Sequence, residues 1–155
     1  MNNDEEQYKK LTIKRTFDAP LEVVWQAWTN PEQFAKWWSP DGFTVPVCEL
    51  DVKAGGVFHV EMEGPDGTLY PTIGQFREVS EPKQLSFTNT PMDNNGKKLF
   101  EVLQTVRFSA NGDKTEIEVV SEVLSATPQA APYLAGMESG LNQALGKLAR
   151  AVGGQ

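Results

Sequence analysis

"ATPQAAPYLAGMESGLNQALGKLARAV", residues 126–152, follows a long run of strand-like sequence and changes its period. Thr127 stands as a cap before Pro128, and Tyr133 or Met137, then Leu141, Leu145, Leu148 and Val152, recur at helical spacing. This predicts one long helix over about 128–151. A helix of some 25 residues extends roughly 37 Å, and its apolar stripe needs a concave sheet to cover it. Gly136, Gly140 and Gly146 each cost ~1 kcal/mol relative to alanine inside a helix. Either the sheet approaches them closely or they leave room for a ligand.

The sheet is written upstream, between Val45 and Val123. "VPVCELDV", "GVFHVEME", "LYPTIGQFREV", "QLSFTN", "KLFEVLQTVRFS" and "TEIEVVSEV" read as strands, separated by "KAGG", "GPDG", "SEPK", "PMDNNG" and "ANGD", whose Gly, Pro, Asn and Asp mark turns. Consecutive strands with tight connections form an antiparallel meander. Phe100, Val102, Gln104, Val106 and Phe108 share one face, as do Thr115, Ile117, Val119, Ser121 and Val123, and the apolar majority places both faces inward. Gln104 and Ser121 are thereby expected inside, with Asn89 in register with Leu85 and Phe87. Gly74, within a strand, predicts a bulge or bend.

Before the meander, "LTIKRTF" (11–17) alternates as a strand, with Arg15 beside Ile13 and Phe17. "DAPLEVVWQAW" then takes a helical period, with Asp18 as cap, Pro20 in the first turn, and Leu21, Val24, Trp25 and Trp28 on one face. "TNPEQFAKWW" restarts a short helix with Asn30 as N-cap, Pro31 at N1 and Gln33 as capping-box partner. The order of elements gives an α+β domain of helix-grip type: a curved seven-stranded antiparallel sheet wrapped around a long C-terminal helix, with two short helices after the first strand. Residues 1–10 read as a flexible N-terminus and 11–152 as a single domain.

"RTFDAPLEVVWQAWTNPEQFAKWWSPDGF", "DVKAGGVF", "GPDGTLYPTIGQFREV", "QLSF" and "GMESGLNQALGKLA" together resemble the single-domain bacterial relatives of the C-terminal domain of the Hsp90 ATPase activator, within the START-like, Bet v 1-like (SRPBCC) superfamily. The resemblance spans about positions 11–150. It implies the helix-grip fold and a choice of roles, because proteins of this fold bind lipids, hormones or polyketides, act as cyclases or hydrolases, or assist a chaperone.

Composition narrows that choice. A net charge of −7, with no cluster of Lys and Arg, argues against nucleic acid as a partner. No run approaches the ~20 apolar residues of a membrane span. One cysteine cannot form an internal disulfide, and "MNNDEEQYKK" lacks a signal peptide's basic and apolar regions, so the expected compartment is the cytoplasm. Cys48 reads as core. The sole His59 falls on the strand face of Val57 and Glu61, opposite Phe58, Val60 and Met62, and reads as a solvated strand residue. No metal-ligand spacing, nucleophile and base pair, or phosphate cradle is present, and no cofactor is expected.

Polar residues on otherwise apolar faces need partners, because an unsatisfied buried group costs ~1–3 kcal/mol. Backbone or carboxylate partners would suffice. So would a cavity between sheet and helix, and the "FAKWWSPDGF" cluster (34–43) would close its end. Two adjacent tryptophans on one helical turn point about 100° apart, so one of Trp37 and Trp38 is expected at the mouth. The candidate ligand-binding set is Trp37, Trp38, Phe43, Phe58, Tyr70, Gln104, Ser121, Met137, Leu141 and Arg15. The reading is a domain that binds a small apolar or amphipathic ligand. The alternatives are a protein-interaction module associated with a chaperone, and a cyclase- or hydratase-like enzyme in which Arg15 or Gln104 orients a carbonyl.

Overall fold

The computed structural model describes residues 10–93, 95–128 and 131–152, excluding the side chains of Pro132 and Tyr133. The expectations for residues 1–9 and for the Tyr133 side chain lie outside the described residues. Along the chain run β1 (Lys10–Phe17), α1 (Leu21–Thr29), α2 (Pro31–Phe34), β2 (Thr44–Leu50), β3 (Val57–Glu63), β4 (Leu69–Ser80), β5 (Gln84–Pro91), β6 (Phe100–Asn111), β7 (Lys114–Ala126), α3 (Ala131–Ala135) and α4 (Met137–Ala151). The seven strands form one antiparallel sheet in the order β1-β7-β6-β5-β4-β3-β2. The helix-grip architecture read from the sequence is the one observed.

Alternation places the side chains as expected. Phe100, Val102, Gln104, Val106 and Phe108 of β6 are buried, as are Thr115, Ile117, Val119 and Ser121 of β7. Leu141, Ala144, Leu145 and Leu148 of α4 join α1 and the concave sheet face in one core. The strand register shifts between β2 and β3, between β6 and β7, and between β4 and β5, where the shift falls between Phe76 and Glu78. Beside the shift, the backbone N–H groups of Gln75 and Glu78 donate to the hydroxyls of Thr88 and Ser86 (both 3.0 Å). A Cβ on Gly74 would stand 1.8 Å from the Thr88 carbonyl oxygen, so only glycine permits this approach.

The helices differ from expectation in four places. The predicted long helix is two segments, broken at Gly136, which adopts φ −92° and ψ 0°. The break lets α3 turn Leu134 onto Leu99, Phe100 and Val102, a smaller second cluster that Met137 also touches. Thr127 does not act as a helix cap, since its N–H and hydroxyl both donate to the Leu99 carbonyl (3.0 and 2.9 Å). Pro20, rather than Asp18, occupies the N-cap of α1, without a side-chain bond. Asn30 caps α2 as expected, its Oδ1 accepting from the Gln33 N–H at 3.2 Å. Then α2 stops at Phe34, and Trp37 and Trp38 lie beyond it in a turn. Freed from the helical angle, both are buried, with ring centroids 5.5 Å apart at 84°.

On the opposite sheet face, His59 lies between two carboxylates, Nδ1 2.7 Å from Glu49 Oε1 and Nε2 3.1 Å from Glu61 Oε2. The Glu49 contact, reinforced by Glu61 and opposed by partial burial, raises the imidazole pKa above its ordinary value. A folded pKa above the unfolded one stabilises the fold fully below about pH 6.5, and the contribution disappears as pH rises through the folded value. Glu49 is well exposed, so the effect is expected to be at most about 1 kcal/mol. Urea midpoints should therefore fall slightly from pH 6 to pH 8 in the wild type. His59→Gln should remove His59's part of that slope; an unaltered slope would refute the assignment.

Candidate functional site

Between the concave sheet and the first two turns of α4 lies an open-sided cleft of about 330 Å³. One wall is Met137, Gly140, Leu141 and Ala144 of α4, with Gly136 at the joint. The facing wall is Met62, Tyr70, Thr72, Asn89, Val102 and Gln104 from β3 to β6. Trp38, Ser39, Pro40 and Phe43 form one rim, and Pro91, Met92, Leu99 and Phe100, around the β5–β6 connection, form the other. The missing side chains of Gly136 and Gly140 help to leave this space. Gly140 faces only Pro40, at 3.6 Å from where a Cβ would stand. Gly146 lies elsewhere, against the Arg150 side chain, and the sheet does not approach it.

The floor carries a polar chain. The Ser121 hydroxyl donates to Gln104 Oε1, and Gln104 Nε2 donates to Asn89 Oδ1 at 3.3 Å. Ser121 is fully buried and Gln104 nearly so, which satisfies the requirement that buried polar groups be paired. At the rim, Lys147 Nζ donates to Ser39 Oγ (3.0 Å) and to the carbonyls of Pro40 (2.9 Å) and Phe43 (3.5 Å). Burial lowers the Lys147 pKa, with Asp41 opposing the shift. The Asp41 N–H donates to Gln143 Oε1 at 3.0 Å, so the loop after Trp38 is fastened to α4 at two points.

Of the residues singled out from sequence, the structure brings Trp38, Phe43, Tyr70, Gln104, Met137 and Leu141 to this cleft. Phe43 and Tyr70 meet there with ring centroids 5.7 Å apart. Trp37 lies instead in the core, its Nε1 donating to the Ala27 carbonyl at 2.9 Å. Phe58 is sealed among Phe34, Phe76 and Phe87. Ser121 sits behind Gln104 and reaches the cleft only through it. Arg15 faces the same side of the sheet but pairs with Ile117, four residues along β7 from Ser121 and thus about 13 Å away. Its Nη1 is buried with no partner among the described residues. Strand alternation could have added Met62 and Thr72; no periodicity marks Pro91, Met92 or Leu99.

Two larger depressions lie elsewhere. One, of about 970 Å³, spans Lys14, Arg15, Lys83, Arg107, Glu116 and Glu118, where Glu118 pairs with Arg107 (3.3 Å) and Lys14 (4.0 Å). The other, of about 640 Å³, lies on the opposite sheet face over Val57, His59, Ile73 and Gly74. Neither is lined by α4. Cys48 is half-buried, and burial pushes its thiol up to about 11, leaving little thiolate for chemistry at neutral pH. Among the described residues, no three or more His, Cys, Asp or Glu side chains converge to hold a metal, and no helix is long and apolar enough to cross a membrane.

The sequence pattern of the family described as Activator of Hsp90 ATPase homolog 1-like protein matches residues 18–153, nearly the whole chain. The chain belongs to this family. Solved structures agree with the Hsp90-activator-like assignment. A protein from Arthrobacter aurescens, 26% identical, superposes with a TM-score of 0.82 over 94% of this chain and 87% of its own. One from Mycobacterium smegmatis, 25% identical, does so at 0.79 over 96% and 93%. A third, from Silicibacter pomeroyi and itself named for the family, is 22% identical with a TM-score of 0.78 over 91% and 95%, and speaks to the fold alone. No curated protein matches the chain.

Proposed function

We propose that this Hsp90-activator-like domain binds a small apolar or amphipathic molecule in the cleft between the sheet and α4. The observation that carries this reading is the combination of aromatic and aliphatic walls with an amide pair, Gln104 and Asn89, at the floor of a space of about 330 Å³. Small-ligand sites commonly occupy roughly 300–1,000 Å³ and combine apolar walls with a few placed polar groups. The lining contains no Asp, Glu, His, Lys or Cys, so binding is preferred to the cyclase or hydratase reading.

The test is a thermal-shift screen of small neutral and amphipathic metabolites on the full chain. A ligand present at 100 times its Kd adds about 2.7 kcal/mol to the stability of a folded state that alone binds it. Leu141→Trp places an indole where the α4 wall faces the cleft, and is expected to abolish the shift while the variant still folds. A wild type that nothing stabilises, or a Leu141→Trp variant that retains the full shift, would sink the reading. A second reading, a protein-interaction module, draws support from the family description and from exposed Val57 and Ile73 on the opposite sheet face.

A further inference from the structure

Hydrogen-bond direction gives the cleft a polarity. The Ser121 hydroxyl donates to Gln104 Oε1, which leaves Gln104 Nε2 to donate to Asn89. Asn89 Oδ1 accepts that N–H, which turns Asn89 Nδ2 away with two donors and no partner among the described residues. The floor therefore presents N–H groups. The backbone acceptors at the rims are already engaged: Pro40 and Phe43 carbonyls by Lys147, and the Pro91 carbonyl by the Leu99 N–H at 2.9 Å. The hydroxyls of Tyr70 and Thr72 can donate or accept and do not discriminate.

Charge gives a second selection. None of the lining side chains is ionised at neutral pH. Of the ammonium groups beside it, Lys147 directs its N–H groups to Ser39, Pro40 and Phe43, and Lys98 is paired with Glu101 at 3.7 Å. An anion brought into the cleft would lose hydration without gaining a counter-charge.

We infer that the cleft selects uncharged molecules with an apolar body and one hydrogen-bond acceptor, a ketone, aldehyde, ester or ether oxygen, which Asn89 Nδ2 and the second N–H of Gln104 Nε2 receive. This rests on the binding role proposed above and narrows its ligand class. It excludes carboxylates, including fatty acids in their ionised form. A donor-only head group such as an ammonium is excluded on both counts.

Three naphthalene probes of matched size test it by calorimetric titration of the full-length protein: 2-acetonaphthone, 2-ethylnaphthalene and 2-naphthoate. The ketone should bind the wild type at least 100-fold more tightly than the carboxylate. Comparing ketone with hydrocarbon in two proteins cancels the intrinsic transfer preferences of the probes, as in a double-mutant cycle. Asn89→Asp keeps the side-chain shape and its bond from Gln104 but replaces the free donor by an acceptor. The ratio of hydrocarbon Kd to ketone Kd should then fall about tenfold or more, with folding checked by thermal unfolding.

A ratio unchanged in Asn89→Asp, or naphthoate binding as tightly as acetonaphthone, would overturn the acceptor rule and leave the binding role standing. Failure of all three probes to bind the wild type would overturn the acceptor rule, and the metabolite screen above would then decide the binding role by itself. Should Asn89→Asp not fold, the ketone-to-carboxylate comparison in the wild type decides alone.

Discussion

Replacing Trp37 with alanine is expected to cost about 3–5 kcal/mol of stability, the range for truncating a large aromatic residue in a packed interior. Trp37 has no exposed surface, and its ring lies 4.7 Å from Trp28, 5.1 Å from Phe34 and 5.5 Å from Trp38, centroid to centroid. Removing the indole leaves a void that these three rings cannot all close, because each is fixed on its far side: Trp28 and Phe34 by their helices, and Trp38 by Phe87 at 6.0 Å. The Ala27 carbonyl also loses its bond from Nε1. Denaturant unfolding measures the loss. A decrease below about 1 kcal/mol would mean that the cluster repacks and that these aromatic residues do not form a rigid block.

Gly74→Ala is expected to be comparably severe for a different reason. Its Cβ would stand 1.8 Å from the Thr88 carbonyl oxygen and 2.9 Å from the Thr88 hydroxyl oxygen, and the nearer atom is backbone. Relief requires β4 to move away from β5 where the bonds from Gln75 to Thr88 and from Glu78 to Ser86 define the bend. Overpacking costs about 1–3 kcal/mol and occasionally more, and a clash with backbone belongs at roughly 3 kcal/mol or above. Thr72 and Asn89 of the cleft wall flank this point on the two strands, so binding should weaken along with stability. A variant that unfolds at the wild-type denaturant concentration would show that the sheet can flatten there at little cost.

These substitutions also mark what was legible in the sequence. Strand alternation assigned faces correctly along β6 and β7, because period two is fixed by the pleat wherever one face is buried. Alternation says nothing about distance along a strand, which is why Arg15 and Gln104 read alike although only Gln104 reaches the cleft. The positions of Trp37 and Trp38 were hidden by the extent of α2. Their composition continues a helical pattern, but the chain turns after Phe34 and buries both. The apolar stripe of α4 was legible from Leu141 to Leu148, whereas its interruption at Gly136 depended on the second cluster around Leu99 and Leu134, a tertiary contact that local spacing does not encode. The β5–β6 rim has no repeating pattern and became visible only when the sheet had curved.

Gln104→Leu, which is similar in volume, shows the same dependence on tertiary contacts. Gln104 is the acceptor for Ser121, which is fully buried, so the leucine variant strands that hydroxyl at a cost of about 1–3 kcal/mol. Stability and binding cannot be separated at that position, and Asn89 is the better probe.

Fastening of the 39–43 loop to α4 joins segments more than a hundred positions apart in sequence, through Lys147 to Ser39 and Pro40 and through Gln143 to Asp41. Local opening in proteins proceeds by cooperative units rather than residue by residue. The loop and the middle of α4 therefore constitute one such unit, in which the loop's amide protection depends on the helix and the helix is braced by the loop. A molecule held between Leu141 and Phe43 would touch both halves of that unit, so its occupancy would be registered at Asp41 and Gln143 together, at the surface of the domain, without any displacement of the sheet.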